Sequence, residues 1–212
     1  MIFDWKVHHV LREPLYRLFI FIMGIDIDEC QKKLINFNTL GDLFSREIKA
    51  SSRPFSAGLI SPVDGRIRRF SIGGLNDRIK IKNYYYSIKD VIQSKENKHY
   101  HYLNIYLSPR NYHRVHAPID GYIQYIRYIP GSLLPVSPPF DRIFGDLSIN
   151  NERLIFKIQY YDTSIYIVMI GGICVGKMET GFIKKFSQLI VHQEKPENIT
   201  LIVPLRLIEV VN

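Results

Sequence analysis

Two histidines, His113 and His116, stand three residues apart in YLSPRNYHRVHAPIDG, residues 106–121. Imidazole titrates near neutral pH, so the pair suits proton transfer, metal ligation or plain structural hydrogen bonding. As a metal centre it is thin, because His-x-x-His supplies two ligands and no third at a clear spacing. The other notable carboxylate context is Asp64, in SPVDGRI (61–67), a segment that recurs as APIDGYI (117–123) with Asp120. Proline fixes φ, aspartate bonds the local backbone and glycine accepts positive φ, so both copies read first as turns.

Those turns need strands to hold them. Each copy leads into a strand-like run. Two related turn–strand halves predict an α+β protein whose core is a mainly antiparallel β-sandwich or barrel. Leu154, Phe156, Ile158 and Tyr160 alternate with Lys157 and Gln159, a period of two. Ile165 to Ile170 is a continuous apolar run, which predicts a strand buried on both faces, and Gly171-Gly172 breaks it. Thr200 to Val211 reads as a strand bent at Pro204 or lying at an edge.

The N-terminal part reads as helical. Residues 1–24 predict an amphipathic or apolar helix, Ile27 to Phe37 a second with Asp26 or Asp28 as its cap, and TLGDLFSREIK a third capped by Asn38. Ser51-Ser52-Arg53-Pro54 ends this part, so the chain divides into a helical segment, 1–50, and a β-rich domain, 51–212. LYRLFIFIM (15–23) is far short of the ~20 apolar residues that span a bilayer. Asp4, Glu13 and the lack of a small-residue cleavage site argue against a cleaved signal. The helix suits either docking on the core or lying in a membrane interface, with Trp5, Lys6, Arg12 and Arg17 near headgroups.

The 212 residues suffice for one well-buried domain, and a formal charge of +8 suits an anionic partner. No RNA-binding aromatic signature or zinc-finger spacing is present, so an acidic membrane is expected rather than nucleic acid. Two distant cysteines, Cys30 and Cys174, make no disulfide framework and suit a reducing compartment.

Several patterns occur in order: FNTLGDLFSREIK, RPF, SPVDGRI, YYSIKDVI, YLSPRNYHRVHAPIDG, YIPGSLLPV, NNERL and GGICVG. Together, over roughly residues 12 to 178, they resemble the pyruvoyl-dependent phosphatidylserine decarboxylase family. The resemblance implies a self-processing carboxy-lyase of phospholipid biosynthesis. In it an internal serine attacks the preceding carbonyl, the chain is cut, and the serine becomes a pyruvoyl group, a covalent electron sink for decarboxylation. It implies Asp64 as an orienting aspartate, His116 as the base of self-cleavage and His113 at the substrate carboxylate or in protonation. Arg114 reads as structural or as an anion partner. Phosphatidylserine is the implied substrate, phosphatidylethanolamine the product, and the cytoplasmic face of a membrane the implied place. A separate small chain or a second copy are the protein partners it leaves open.

The family's cleavage signature is Gly-Ser, usually Gly-Ser-Thr, near the C-terminus. Here no Gly-Ser follows Gly131-Ser132, which belongs to YIPGSLLP. Glu179, Gly181 and Ser187 keep the signature's internal spacing, making Ser187 the candidate pyruvoyl precursor. Phe186 replaces the scissile glycine, Gln188 replaces the threonine, and the segment follows Val175-Gly176 too soon. A β-carbon beside the nucleophile crowds the carbonyl and makes positive φ costly. Three readings follow: an active decarboxylase with a divergent cleavage site; a member that binds phospholipid without cleavage; or a metal-dependent or basic binding protein using His113 and His116.

Overall fold

In a computed structural model, residues 6–81, 84–134, 150–172, 178–180 and 209–211 are described. Helix α1 spans His9–Met23 and ends at Gly24, whose φ of 69° suits a residue without a β-carbon. Helix α2, Leu40–Phe44, begins at Thr39 in a reciprocal capping box with Asp42, one residue later than the predicted cap Asn38. Helix α3 is Ile88–Ile92. Among the described residues no helix is long and apolar enough to cross a membrane.

The predicted helix over 27–37 is not formed, apart from one 3₁₀ turn at Leu34–Asn36. Asp26 Oδ1 instead accepts from the Asp28 amide at 2.9 Å, a local turn that competes with helix. Residues 29–31 then pair with 47–49 through Gln31 N–H to Glu47 O, 2.9 Å, and Lys49 N–H to Glu29 O, 2.8 Å. Residue Lys6 likewise bridges Thr39, so α1 begins later than the sequence suggests.

The strands are β1 (Arg66–Gly74), β2 (Arg78–Ile81), β3 (Tyr84–Ser87), β4 (His99–Tyr106), β5 (Arg114–His116), β6 (Tyr122–Ile129), β7 (Arg153–Tyr160), β8 (Thr163–Ile170), β9 (Glu179–Thr180) and β10 (Glu209–Val211). Each pairing is antiparallel, in the orders β1-β4, β2-β3, β6-β7-β8 and β5-β10-β9. This is the expected α+β architecture, and no closed barrel is seen among the described strands.

The repeated halves are visible in the backbone. β1 and β6 follow the two Asp-Gly turns, and both carry a register shift at the equivalent place, Ile67/Arg69 and Ile123/Tyr125. The turn chemistry predicts positive φ at the two glycines, and neither Gly65 nor Gly121 takes it. Their requirement is room: a β-carbon would lie 2.9 Å from Tyr106 O at Gly65 and 2.5 Å from Gln159 O at Gly121.

The central strand of the larger sheet is β7, and residues 153–158 are buried on both faces despite their period-two pattern. Lys157 is hidden there by an ion pair with Glu96 and by the Tyr125 and Tyr166 rings, 5.9 and 5.7 Å from its ammonium. The apolar run in β8 is the opposite case, a half-buried edge of the same sheet. Val115 of β5 joins Ile123, Ile126, Leu154, Phe156 and Ile158 in the main core, which anchors the histidine strand.

Candidate active site

Strand β5 is short, but it is fixed from three sides. Its His116 amide donates to Pro62 O at 2.8 Å, and Ile60 N–H donates to Pro118 O at 2.8 Å, so the two repeat turns clasp one another. Arg114 donates Nε–H to Ser45 O and pairs its Nη2 with Glu47 at 2.9 Å, tying the strand to the N-terminal segment. That makes Arg114 a structural arginine with a carboxylate partner.

His113 is 3% exposed and lies against the Phe44 ring at 3.9 Å. Its Nδ1 is 2.8 Å from Asn111 O, and a carbonyl only accepts, so the proton sits on Nδ1 and the lone pair on Nε2. Burial pushes the imidazole down to about 4, hence it is neutral at pH 7. Asn111 is held in turn by the Ser108 amide and hydroxyl, at 2.8 and 2.6 Å.

His116 is half-buried. Its Nε2 is 2.9 Å from the Tyr112 hydroxyl, with the two rings stacked at 5.5 Å, and Phe55 meets it edge-on at 5.3 Å. Asp64 takes hydrogen bonds from Arg53 Nε and Nη2, the latter 2.7 Å long. Arg53 also reaches Glu29 at 2.8 Å. Two carboxylates on one guanidinium push its already high pKa further up, so it stays charged. Among the described contacts no hydrogen bond joins Asp64 to His116; they approach through the Pro62–His116 backbone link. The motifs RPF, SPVDG and YHRVH thus converge, with Arg53 on Asp64 and Phe55 on His116.

The family model for phosphatidylserine decarboxylase matches residues 40–199. The chain belongs to the phosphatidylserine decarboxylase family. A phosphatidylserine decarboxylase proenzyme of Francisella tularensis subsp. mediasiatica is 34% identical over 179 residues, 81% of this chain and 62% of that protein. Those of Myxococcus xanthus and Psychrobacter cryohalolentis are 28% and 29% identical, covering 89% and 91% of this chain and 69% and 73% of theirs. The word proenzyme in those names is consistent with a chain processed before it acts.

Of the site residues that the resemblance to this decarboxylase family implies, His116 meets the Asp64 turn through the Pro62 carbonyl, His113 is buried against Phe44 three residues earlier, and Ser187 lies outside the described residues. The segment leading to it is partly placed. Glu179 and Thr180 form β9, which pairs with β10, and Glu209 of β10 stands opposite His116. The donor set fits a serine-derived pyruvoyl group: an imidazole, a phenol bonded to it, and a carboxylate fixed by arginine. Gly131-Ser132 is committed elsewhere. A β-carbon on Gly131 would strike Asn150 O at 2.5 Å, and Ser132 bridges Asn151. Asn151, fully buried, donates to Leu134 O and Gly171 O at 2.8 Å, so NNERL ties YIPGSLL to the Gly-Gly turn. Among the described residues no three metal-ligating side chains gather.

Arg53, Phe55 and Tyr112 were present in the sequence motifs without a role. Arginine three residues after the helical segment and a Tyr four before His116 carry no distinctive spacing; only the fold brings them to Asp64 and the imidazole.

Proposed function

We propose that this chain acts as a phosphatidylserine decarboxylase, forming phosphatidylethanolamine and carbon dioxide, with a pyruvoyl group made from Ser187. The observation that supports this best is the convergence of Arg53–Asp64 and Phe55–His116 at one place. His116 takes the Ser187 hydroxyl proton as that oxygen attacks the Phe186 carbonyl carbon. The peptide C–N bond breaks, an ester forms, and the proton passes to the released amine. Loss of the Ser187 α-proton then expels the Phe186 carboxylate and cuts the chain. Water replaces the nitrogen of the dehydroalanine left behind, releasing ammonia and leaving the pyruvoyl carbonyl. Asp64, held by Arg53, supplies a fixed negative charge two residues from the backbone link to His116. Once formed, the pyruvoyl group supplies a carbonyl that draws off electrons as carbon dioxide leaves. His113 has Nδ1 committed to Asn111 O, so Nε2 is the atom at which it receives or returns a proton. The helical segment 1–50 docks the protein peripherally on an acidic membrane at the cytoplasmic face, through the exposed side of α1.

A second reading is a family member that holds phospholipid without cutting itself. Phe186 at the scissile position favours it, because its β-carbon crowds the attacked carbonyl. Mass measurement of the purified chain under denaturing conditions separates the two. Two fragments, the smaller blocked at residue 187, support the decarboxylase. One species of 24.9 kDa supports the lipid-binding member or a partner chain that supplies the group.

A further inference from the structure

A groove of about 380 Å³ opens between the end of α1 and the start of β1, and neither histidine nor Asp64 lines it. Arg66, Arg68 and Arg110 line it, with Ile22 and Met23 as its apolar side. Among the described residues none of these three guanidiniums has a carboxylate partner. The neighbouring carboxylates Asp64 and Glu47 are taken by Arg53 and Arg114. Arg68 lies over the Tyr106 ring at 4.8 Å. The Arg110–Asn111 wall is braced from behind by Arg46, 2% exposed, whose Nη2 donates to both carbonyls at 3.0 and 3.4 Å. Three cations gathered without a counter-charge repel one another, and an anion between them removes that cost.

The apolar side continues outward. Leu11, Leu15, Leu18 and Ile22 fall at helical spacings of four, three and four, and all are exposed, with Phe21 beside them 84% exposed. Ile22 belongs to both stripe and groove. The required ligand is therefore an anion with an apolar body attached. We propose that the groove binds the phosphate of an anionic phospholipid within a bilayer, with the α1 stripe lying among the acyl chains. Free phosphate would satisfy the arginines and leave the stripe in water. The proposal rests on the membrane docking proposed above and is independent of decarboxylation.

The test is sedimentation of the full chain with vesicles of phosphatidylcholine alone or mixed with phosphatidylglycerol. Wild type is expected to prefer the mixed vesicles, and equal binding to both overturns the anion site. Arg66→Gln/Arg68→Gln/Arg110→Gln is expected to weaken mixed-vesicle binding on the order of a hundredfold. Arg78→Gln/Lys89→Gln/Lys95→Gln removes the same charge from exposed positions on β2 and around α3, and is expected to lose far less. Equal losses mean diffuse charge attraction and overturn the groove. Leu18→Ser/Phe21→Ser is expected to weaken binding as well; no change overturns the stripe's part. Displacement from vesicles by inorganic phosphate at constant ionic strength would make this a soluble-phosphate site and overturn the lipid assignment. Failure of wild type to bind either vesicle sinks docking and groove together. Binding unaffected by the triple arginine change sinks the groove alone.

Discussion

The two Pro-x-Asp-Gly turns invite comparison because their backbones agree so closely. Each glycine faces a partner-strand carbonyl that leaves no room for a β-carbon, and each following strand shifts register two residues later. Their aspartates do not agree. Asp64 is half-buried and gripped by Arg53, which Glu29 holds from the far side. Asp120 is exposed, and no described residue bonds it. A repeated turn is a backbone device in both copies; a chemical role enters only where a side chain from outside the repeat fixes the acid. Arg53 is that side chain, and nothing in the second copy matches it.

The sharpest way to break this comparison is at the aspartates. Asp64→Asn is expected to slow chain cleavage by on the order of 10²–10³, the scale of losing one fixed charge at the site, while Asp120→Asn leaves it unchanged. Denaturing mass measurement of cut and uncut chain reads both, and equal rates in the two variants would erase the functional difference. The glycines test the likeness instead. Gly121→Ala drives a β-carbon into a backbone oxygen at 2.5 Å and is expected to cost about 3 kcal/mol. Gly65→Ala meets first the Ile105 Cγ2 methyl, at 2.6 Å, which can turn aside in part, and is expected to cost nearer ~1–2 kcal/mol. Denaturant unfolding measures both, and an unchanged midpoint in either contradicts the close approach.

A pH-dependent effect separates the two histidines in the same spirit, one fixed by backbone and one by side chains. Burial holds His113 at about 4, below its ordinary 6.5, so between those values the unfolded chain binds the extra proton. Its contribution is intact above pH 6.5 and is lost as pH falls toward 4. From pH 7 to pH 5 the loss should be about 2 kcal/mol, seen as a falling thermal midpoint. His113→Leu should flatten that fall, and a slope as steep as wild type would remove His113 as its source.

What could be read from the sequence was mostly local. Proline followed by Asp-Gly announced both turns, a period of two announced β7, an apolar run announced β8, and the two histidines announced themselves. The errors came where distant backbone took over. Residues 29–31 look helical until 47–49 pair with them. Lys157 looks like the wet side of a strand, because its cover comes from Glu96, 61 residues away. The apolar run of β8 looks like a central strand, yet sheet order puts it at the edge. At the site, motif order pointed to Asp64, His113 and His116, while the grip of Arg53 and the Tyr112 hydroxyl on His116 depend on contacts that spacing does not encode.

The pairing of β9 with β10, and of β10 with β5, has a consequence for a chain nicked between Phe186 and Ser187. The histidine strand and Glu179–Thr180 would remain on the larger piece, and Glu209–Val211 would leave with the smaller. The departing piece would be the middle strand of that sheet, laced to its former chain on both sides. Such a protein would run as two bands once unfolded and travel as one particle while native. Its processing would be invisible to gel filtration, and the smaller piece could be lost only by unzipping both flanks of the sheet that carries His116.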